Sequence, residues 1–393
     1  MGYPASEERN IVKFQVNRDV FSDAVSFAVK LLPSKFNHPV LGGVLIESTD
    51  SGIVLSSFDY EASATTKIAA SVDEPGRMLV SGRLLADIAS RLPDAPVVFS
   101  TQDSRVVISC GKASFTLLSM PLEEYPAIPV VTGRSGKVPA DVFADAVGQV
   151  AVAASREDVT PVITGVLVEV ANNQLSLIAT DRYRVAVRSI DWDGSDGATD
   201  VTALVPVRII HEVSKTFANS GVITITFTAE GERELISFTA DDKTVTSVLI
   251  RGQYPPIRRL FPESVENYAV VNTAELVEAV RRVKLVLERD IAIRFTFGKD
   301  GVMLEGLGGD KAQATENVDS TLTGSDMTVS LKPDFLLDGL NALHSEFARL
   351  GFTISEVGNQ PKPGPVLITR QTSATDNDAA GFKYLLQPNL LMR

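Results

Sequence analysis

Three histidines, one cysteine and a recurring aspartate are the residues from which this 393-residue chain could build a reactive centre. His38, His211 and His344 lie far apart, and none stands in an H-E-x-x-H or H-x-x-E-H run that would set metal ligands together. Cys110 can form neither an internal disulfide nor a C-x-x-C pair. It sits in VVISCG, where every second residue is apolar, so a buried strand thiol is expected rather than a nucleophile. GLGGDK (Gly306 to Lys311) lacks the spacing of a phosphate-binding loop and joins two strand-like segments, so it reads as a turn. No serine occupies a G-x-S-x-G elbow. Asp59 in FDYEASATT and Asp181 in TDRYRVAVR hold matching places in two similar segments. Paired carboxylates could serve acid–base chemistry. An aspartate that binds backbone N–H groups at a strand turn would also recur wherever the fold recurs. No catalytic residue, metal ligand or cofactor emerges.

The aspartates recur because something larger does. Their separation of roughly 120 residues far exceeds the 20 to 50 of solenoids and propellers, so the repeating unit is a domain. EEYPAIP (Glu123 to Pro129) is echoed by GQYPPIR (Gly252 to Arg258). DVFSDAVSFAVKLL from Asp19, DVFADAVGQVAVAA from Asp141 and AELVEAVRRVKLVL from Ala274 are amphipathic, with an acidic first turn suited to the helix dipole. GRLLADIASRL, VRIIHEVSKTF and PDFLLDGLNAL supply a second helix to each unit, and alternating apolar segments supply strands. The expected fold is α+β, in three repeated domains at 1–135, 136–268 and 269–393, each with two helices packed on antiparallel sheets. The breaks are expected near TGRSGK (Thr132 to Lys137) and ENYAVV (Glu266 to Val271).

A hydrophobic content of 44% with 22% charged residues belongs to an ordinary globular protein. No apolar run approaches the roughly 20 residues of a membrane span, and MGYPASEERN lacks a signal pattern, so a cytoplasmic protein is expected. Met1, Gly2 and Ser6 do fit the short myristoylation pattern, with nothing else pointing to a membrane. A net charge of −12 argues against a continuous basic surface wrapping nucleic acid, yet leaves room for a basic stripe on the helices. Arg18, Lys30, Lys35, Arg83 and Arg91 serve the first unit, and Arg156, Arg208 and Lys215 the second. Arg281, Arg282, Lys284, Arg289 and Lys332 serve the third. Charged helix faces are common, but similar basic helices placed by a repeat would sum on one face.

Several blocks in fixed order carry a family resemblance: PVLGGVLIE, FDYEASA, VSGRLLADI, PLEEYPAIP, VITGVLVEV, ATDRYRVAVR, YPPIRRLFP and KPDFLLDGL. Over nearly its whole length the chain resembles the bacterial sliding clamp, the β subunit of the replicative DNA polymerase, and is most similar to actinobacterial members. The resemblance implies a head-to-tail homodimer closing a ring around duplex DNA, held topologically and without sequence readout. Lys35, Arg83, Arg91, Arg156, Arg208, Lys215, Arg281 and Arg282 would face the DNA. Lys112, Phe115 and Leu117 would meet Leu285 of a second copy, with Asp310 and Glu316 as the nearest acids. A hydrophobic pocket would take apolar peptide ends of the replicative polymerase, the clamp loader, repair proteins or a cyclic peptide inhibitor. Its matching positions are Ile163, Thr180, Arg182, Arg184, Val185, Pro255, Arg259, Leu260, Lys332, Phe335, Pro365, Val366, Leu385, Gln387, Pro388, Asn389 and Leu390.

The chain departs from the family pattern in that pocket. Gln387 replaces a Met and Leu390 an Arg, while Lys332 stands where Asn is usual and Phe335 where Tyr is common. Two readings stay open: drift compensated nearby, or a specialised extra copy with altered recognition, conferring resistance to clamp-targeting peptide inhibitors. Two rivals to the housekeeping clamp follow, an enzyme acting on a phosphorylated ligand and a clamp-fold paralogue.

Overall fold

Asparagine caps open two of the helices. In the computed structural model, which describes residues 12–33, 35–157, 159–194, 200–228, 234–288, 291–308, 312–357, 360–371 and 381–389, Asn17 accepts the N–H groups of Asp19 (2.9 Å) and Val20 (3.2 Å) to open α1 (Arg18–Val29). Two further helices of the first and second repeats are α2 (Gly82–Ala89) and α3 (Ala140–Ala151), followed by α4 (Val207–Phe217). Asn272 caps α5 (Thr273–Lys284) through the Glu275 N–H, and Pro333 occupies the first turn of α6 (Pro333–Ala342), where its missing N–H is harmless. The helices pack as the repeat requires, α1 with α2, α3 with α4 and α5 with α6.

The chain divides into two compact units, which cut across the three repeats. One comprises Met1–Pro139 with Asn219–Leu249. It holds an antiparallel sheet in the order Ser71–Glu74, Lys13–Val16, Val97–Gln102, Arg105–Cys110, Ala113–Leu118. A second sheet runs Gly133–Pro139, Val222–Thr228, Leu235–Ala240, Lys243–Val248, Ala62–Ile68, Gly52–Phe58, Gly43–Thr49, Gly76–Ser81. Phe14 stacks on Phe99 at 4.7 Å with Phe21 edge-on at 5.0 Å, anchoring a core that includes the Cys110 thiol. That thiol is buried, as expected, and donates towards the carbonyls of Pro93 and Ala95. The TGRSGK segment, near which a domain break is expected, is strand: Gly133 to Pro139 pair in register with Thr228 to Val222. Small and cationic side chains suit a partly exposed strand as well as a loop, so composition alone could not separate them.

The other unit comprises Ala140–Ala218 with Ile250–Arg393. Its nine-stranded sheet runs Val201–Pro206, Gly165–Ala171, Gln174–Thr180, Arg184–Asp191, Phe382–Leu386, Gln360–Gln371, Phe347–Val357, Tyr268–Asn272, Ser320–Thr323. A four-stranded sheet runs Ala312–Val318, Gly301–Gly308, Ile293–Gly298, Met327–Leu331. Gly308 permits the closest approach in the unit: a Cβ there would lie 2.0 Å from the Val286 carbonyl, just beyond α5. Gly306 to Gly308 of GLGGDK, expected as a turn, end the strand Gly301–Gly308, and Gly309 to Lys311 lie outside the described residues. Arg184–Asp191 pairs with Phe382–Leu386, joining segments almost two hundred residues apart and bringing the end of the chain to the Asp181 turn.

Candidate functional site

The Asp181 turn is local physics repeated. Asp181 Oδ1 accepts the N–H groups of Tyr183 (3.1 Å) and Arg184 (3.1 Å), and Asp59 Oδ1 accepts those of Glu61 (3.0 Å) and Ala62 (2.8 Å). The residue after each aspartate is left-handed, Arg182 at φ 79° and Tyr60 at φ 73°. That conformation costs a side-chain-bearing residue about 1 kcal/mol, which the two aspartate bonds offset. Both aspartates therefore shape turns.

What distinguishes the second turn is Arg184. Its guanidinium is buried and satisfied on several sides: Nε donates to Asp181 Oδ2 (2.9 Å), and Nη1 to Asp338 Oδ2 (2.6 Å) and the Tyr384 hydroxyl (3.1 Å). It also lies over the Phe335 ring, 4.4 Å from the centroid. Tyr384 in turn donates to the Phe335 carbonyl at 2.7 Å. Burial by itself would lower the Arg184 pKa, but Tyr384, Asp338 and Asp181 more than offset it and the guanidinium stays charged. Burial pushes the Tyr384 phenol up, so it stays protonated as a donor. Gly339 makes room for this ring, since a Cβ there would stand 2.6 Å from Tyr384 Cε1. The cluster ties α6 to the turn and to the last described strand.

A cavity of about 480 Å³ opens beside it, lined by Ile163, Arg156, Arg182, Tyr183, Phe335 and neighbouring residues. Of the expected pocket residues, Ile163, Arg182, Arg184 and Phe335 line it. Val185 and Leu385 instead pack with Ile178, Val187 and Ile257 in an apolar cluster at the root of the turn, flanked by Leu167, Tyr254, Phe261 and Leu367. Thr180 is buried beneath the turn, donating to the Arg184 carbonyl at 2.7 Å. Pro255 and Pro388 are half-buried, while Arg259, Leu260 and Gln387 are exposed. Gln387 donates its backbone N–H to the Tyr183 carbonyl (2.8 Å), and Asn389, half-buried, bonds Ser330 in the same way (2.8 Å). Val366 departs from expectation: it pairs with Leu386, both wholly buried, on the face opposite Leu385. Leu367 takes the place beside Leu385, and Pro365, half-buried, shares its face. Leu390 lies outside the described residues.

Lys332 sits with its ammonium 5.6 Å from the Phe335 centroid and 5.7 Å from that of Tyr183, and the two rings stack at 5.9 Å. Tyr183 was not anticipated from the sequence. Neither were Asp338, which faces Arg184 from a sequence distance of 154 residues, and Tyr384 in its bonding role.

The expected DNA-facing residues separate. Lys35, Arg83, Arg91, Arg208 and Lys215 are exposed. Arg156 is exposed too and lines the cavity. Arg281 pairs with Glu278 (2.6 Å) and Arg282 grips Glu316 from two nitrogens, which lowers the Glu316 pKa. Glu316, expected at a subunit edge, is thus engaged within its own unit. At the other edge, Lys112 is exposed and Phe115 packs partly against the core. Leu117 is only 3% exposed, inside the core, because strand alternation turns it inward. Its neighbour Leu118, 71% exposed, is the outward apolar residue, and Leu285 is 83% exposed. Among the described residues no cluster of His, Cys, Asp or Glu could hold a metal, and no helix is long and apolar enough to cross a membrane.

Three family models match in succession: the N-terminal domain of the DNA polymerase III beta subunit at residues 12–129, its central domain at 137–256 and its C-terminal domain at 258–360. The chain is 40% identical over 378 residues to the beta sliding clamp of Streptomyces coelicolor, covering 96% of this chain and 99% of that one. It is 34% identical over 377 residues to the beta sliding clamp homolog GriR of Streptomyces muensis, at 96% and 99% coverage. The Pseudomonas aeruginosa sliding clamp solved bound to griselimycin superposes with a TM-score of 0.85 at 21% identity, covering 97% of this chain and all of that one. A repeat of three helix-and-sheet domains, matched throughout by models of all three clamp domains, establishes that this chain belongs to the DNA polymerase III beta subunit family, the bacterial sliding clamps.

Proposed function

We infer that this chain is a processivity factor: two copies close a ring on duplex DNA, and the cavity beside Arg184 holds the apolar end of a polymerase, clamp-loader or repair-protein peptide. The match to all three clamp domains carries this reading. The cavity supports its second half, because a fixed arginine–tyrosine–aspartate frame flanks an apolar cluster, the combination that orients and buries an apolar peptide. The exposed cations of α2 and α4 suit weak, sequence-independent phosphate contacts. The chain performs no chemistry of its own and acts in the cytoplasm with the replication machinery. The test is primer extension with the host loader and polymerase. Long products from single binding events are expected, and short products despite loading would refute the tethering role.

A second reading, a specialised copy with altered inhibitor recognition, draws support from Lys332 over the Tyr183–Phe335 stack and from the exposed Gln387. A griselimycin titration of this chain beside the S. coelicolor clamp decides it. Weaker binding here favours the specialised copy, and equal binding favours drift.

A further inference from the structure

Phe335 lines two cavities. Beyond the cavity beside Arg184, a second one of about 390 Å³ lies between the end of α5 and the start of α6, and Asp334 and Phe335 line both. The second has apolar walls in Leu287, Ile291, Pro333 and Phe335, with Lys284 and Lys332 among its cations. Glu288 lines it as well; of the two cations, Lys284 bonds Asp334 and Lys332 lies over the Phe335 ring. Phe335 itself is fixed, because Arg184, Lys332 and Tyr183 all pack on it.

We propose that the second cavity is an extension of the peptide site, taking a second bulky apolar side chain from the same peptide that anchors beside Arg184, with the peptide backbone crossing Phe335. The proposal rests on the peptide-tethering reading above. Its occupant follows from continuity, since the two cavities adjoin through Asp334 and Phe335, which line both. It follows also from chemistry, since Lys284 is held by Asp334, Lys332 lies over the Phe335 ring, and Leu287, Ile291, Pro333 and Phe335 offer apolar surface. A side chain that enters an already formed cavity gains by burial what its ordering does not cancel, so an affinity gain of about tenfold is expected.

The experiment uses the full chain and fluorescein-labelled peptides. The short probe is a hexapeptide ending in Leu-Phe; two longer probes carry a Gly-Gly-Leu extension at one end or the other. At least one longer probe should bind about tenfold more tightly than the short one. Ile291→Glu should abolish that gain and leave the short probe's affinity unchanged. Ile291 is 40% exposed, so the charge is tolerable for folding, and Ile291→Ser gives a milder check read alongside the melting temperature. A short probe that binds while neither extension adds affinity would overturn the proposal and leave the tethering reading standing. A gain that survives both Ile291 variants would also overturn it, by placing the extra contact elsewhere. Failure of every probe to bind would remove the tethering reading and this proposal with it.

Discussion

Replacing Arg184 with Met tests the frame of the site, because it keeps much of the stem and deletes the charge. Asp181 Oδ2, Asp338 Oδ2 and the Tyr384 hydroxyl each lose a donor, and Phe335 loses the nearer of its two cations. Breaking a fully buried ion pair costs about 3–5 kcal/mol because a buried charge is left uncompensated. The figure here should be lower: the Asp338 side chain is 38% exposed and can rehydrate, whereas that of Asp181 is 13% exposed. Asp181 also retains two backbone N–H bonds through Oδ1. About 2–3 kcal/mol remains, which for a unit of this size lowers its melting temperature by about 4–12 °C. Differential scanning calorimetry should show that shift in the transition of the unit holding Arg184, with the other unit unmoved. Binding of the Leu-Phe hexapeptide should weaken at least tenfold. Gly339→Ala, which drives a Cβ against the Tyr384 ring, should produce a smaller shift of the same transition, about 1–3 kcal/mol. A melting profile unchanged by Arg184→Met, with unchanged peptide affinity, would refute the view that this cluster holds the site together.

Leu118→Asp and Leu285→Asp should each dissociate the dimer in analytical ultracentrifugation while leaving the melting profile nearly intact. Leu117→Ala should destabilise the fold by about 2–5 kcal/mol, and the opposite assignment would restore Leu117 to the subunit edge. Tyr125 accepts the Phe58 N–H (2.8 Å), donates to the Gly43 carbonyl, and has its pKa pushed up to about 12 by burial. Its contribution is present in full below the unfolded value near 10 and is lost as pH rises from 10 to 12. Stability measured in urea should therefore fall across that window, and fall less in Tyr125→Phe. Gln387→Met should tighten the hexapeptide about tenfold if a bound peptide covers the amide, and equal affinity would place that side chain outside the contact.

The fold was legible to the extent that it was local or repeated. Helical spacing located the six α-helices of the described residues to within a few residues, and alternation around Cys110 marked a buried strand. Asp59 and Asp181 proved to be turn-formers because an aspartate binds N–H groups two and three residues ahead, a relation contained in nine residues of sequence. What escaped depends on distant partners. Leu117 and Leu118 are chemically alike, and only the sheet decides which faces the core. Val366 faces away from Leu385, because a single residue along a strand reverses the face. Nothing near Arg184 in sequence announces Asp338 or Tyr384, since α6 and the last strand reach it only through tertiary packing. Arg282 could be read as a free surface cation until the strand Ala312–Val318 set Glu316 against it.

Topological retention on DNA tests the central claim most directly. The chain is loaded by its clamp loader onto a nicked circular plasmid, freed of loader, and followed by gel filtration at moderate salt before and after a restriction enzyme linearises the circle. The account predicts co-elution with the circle and release on cutting, because a net charge of −12 leaves ordinary surface binding weak and a ring slides off an open end. Equal retention on circular and linear DNA, or none on either, would contradict it.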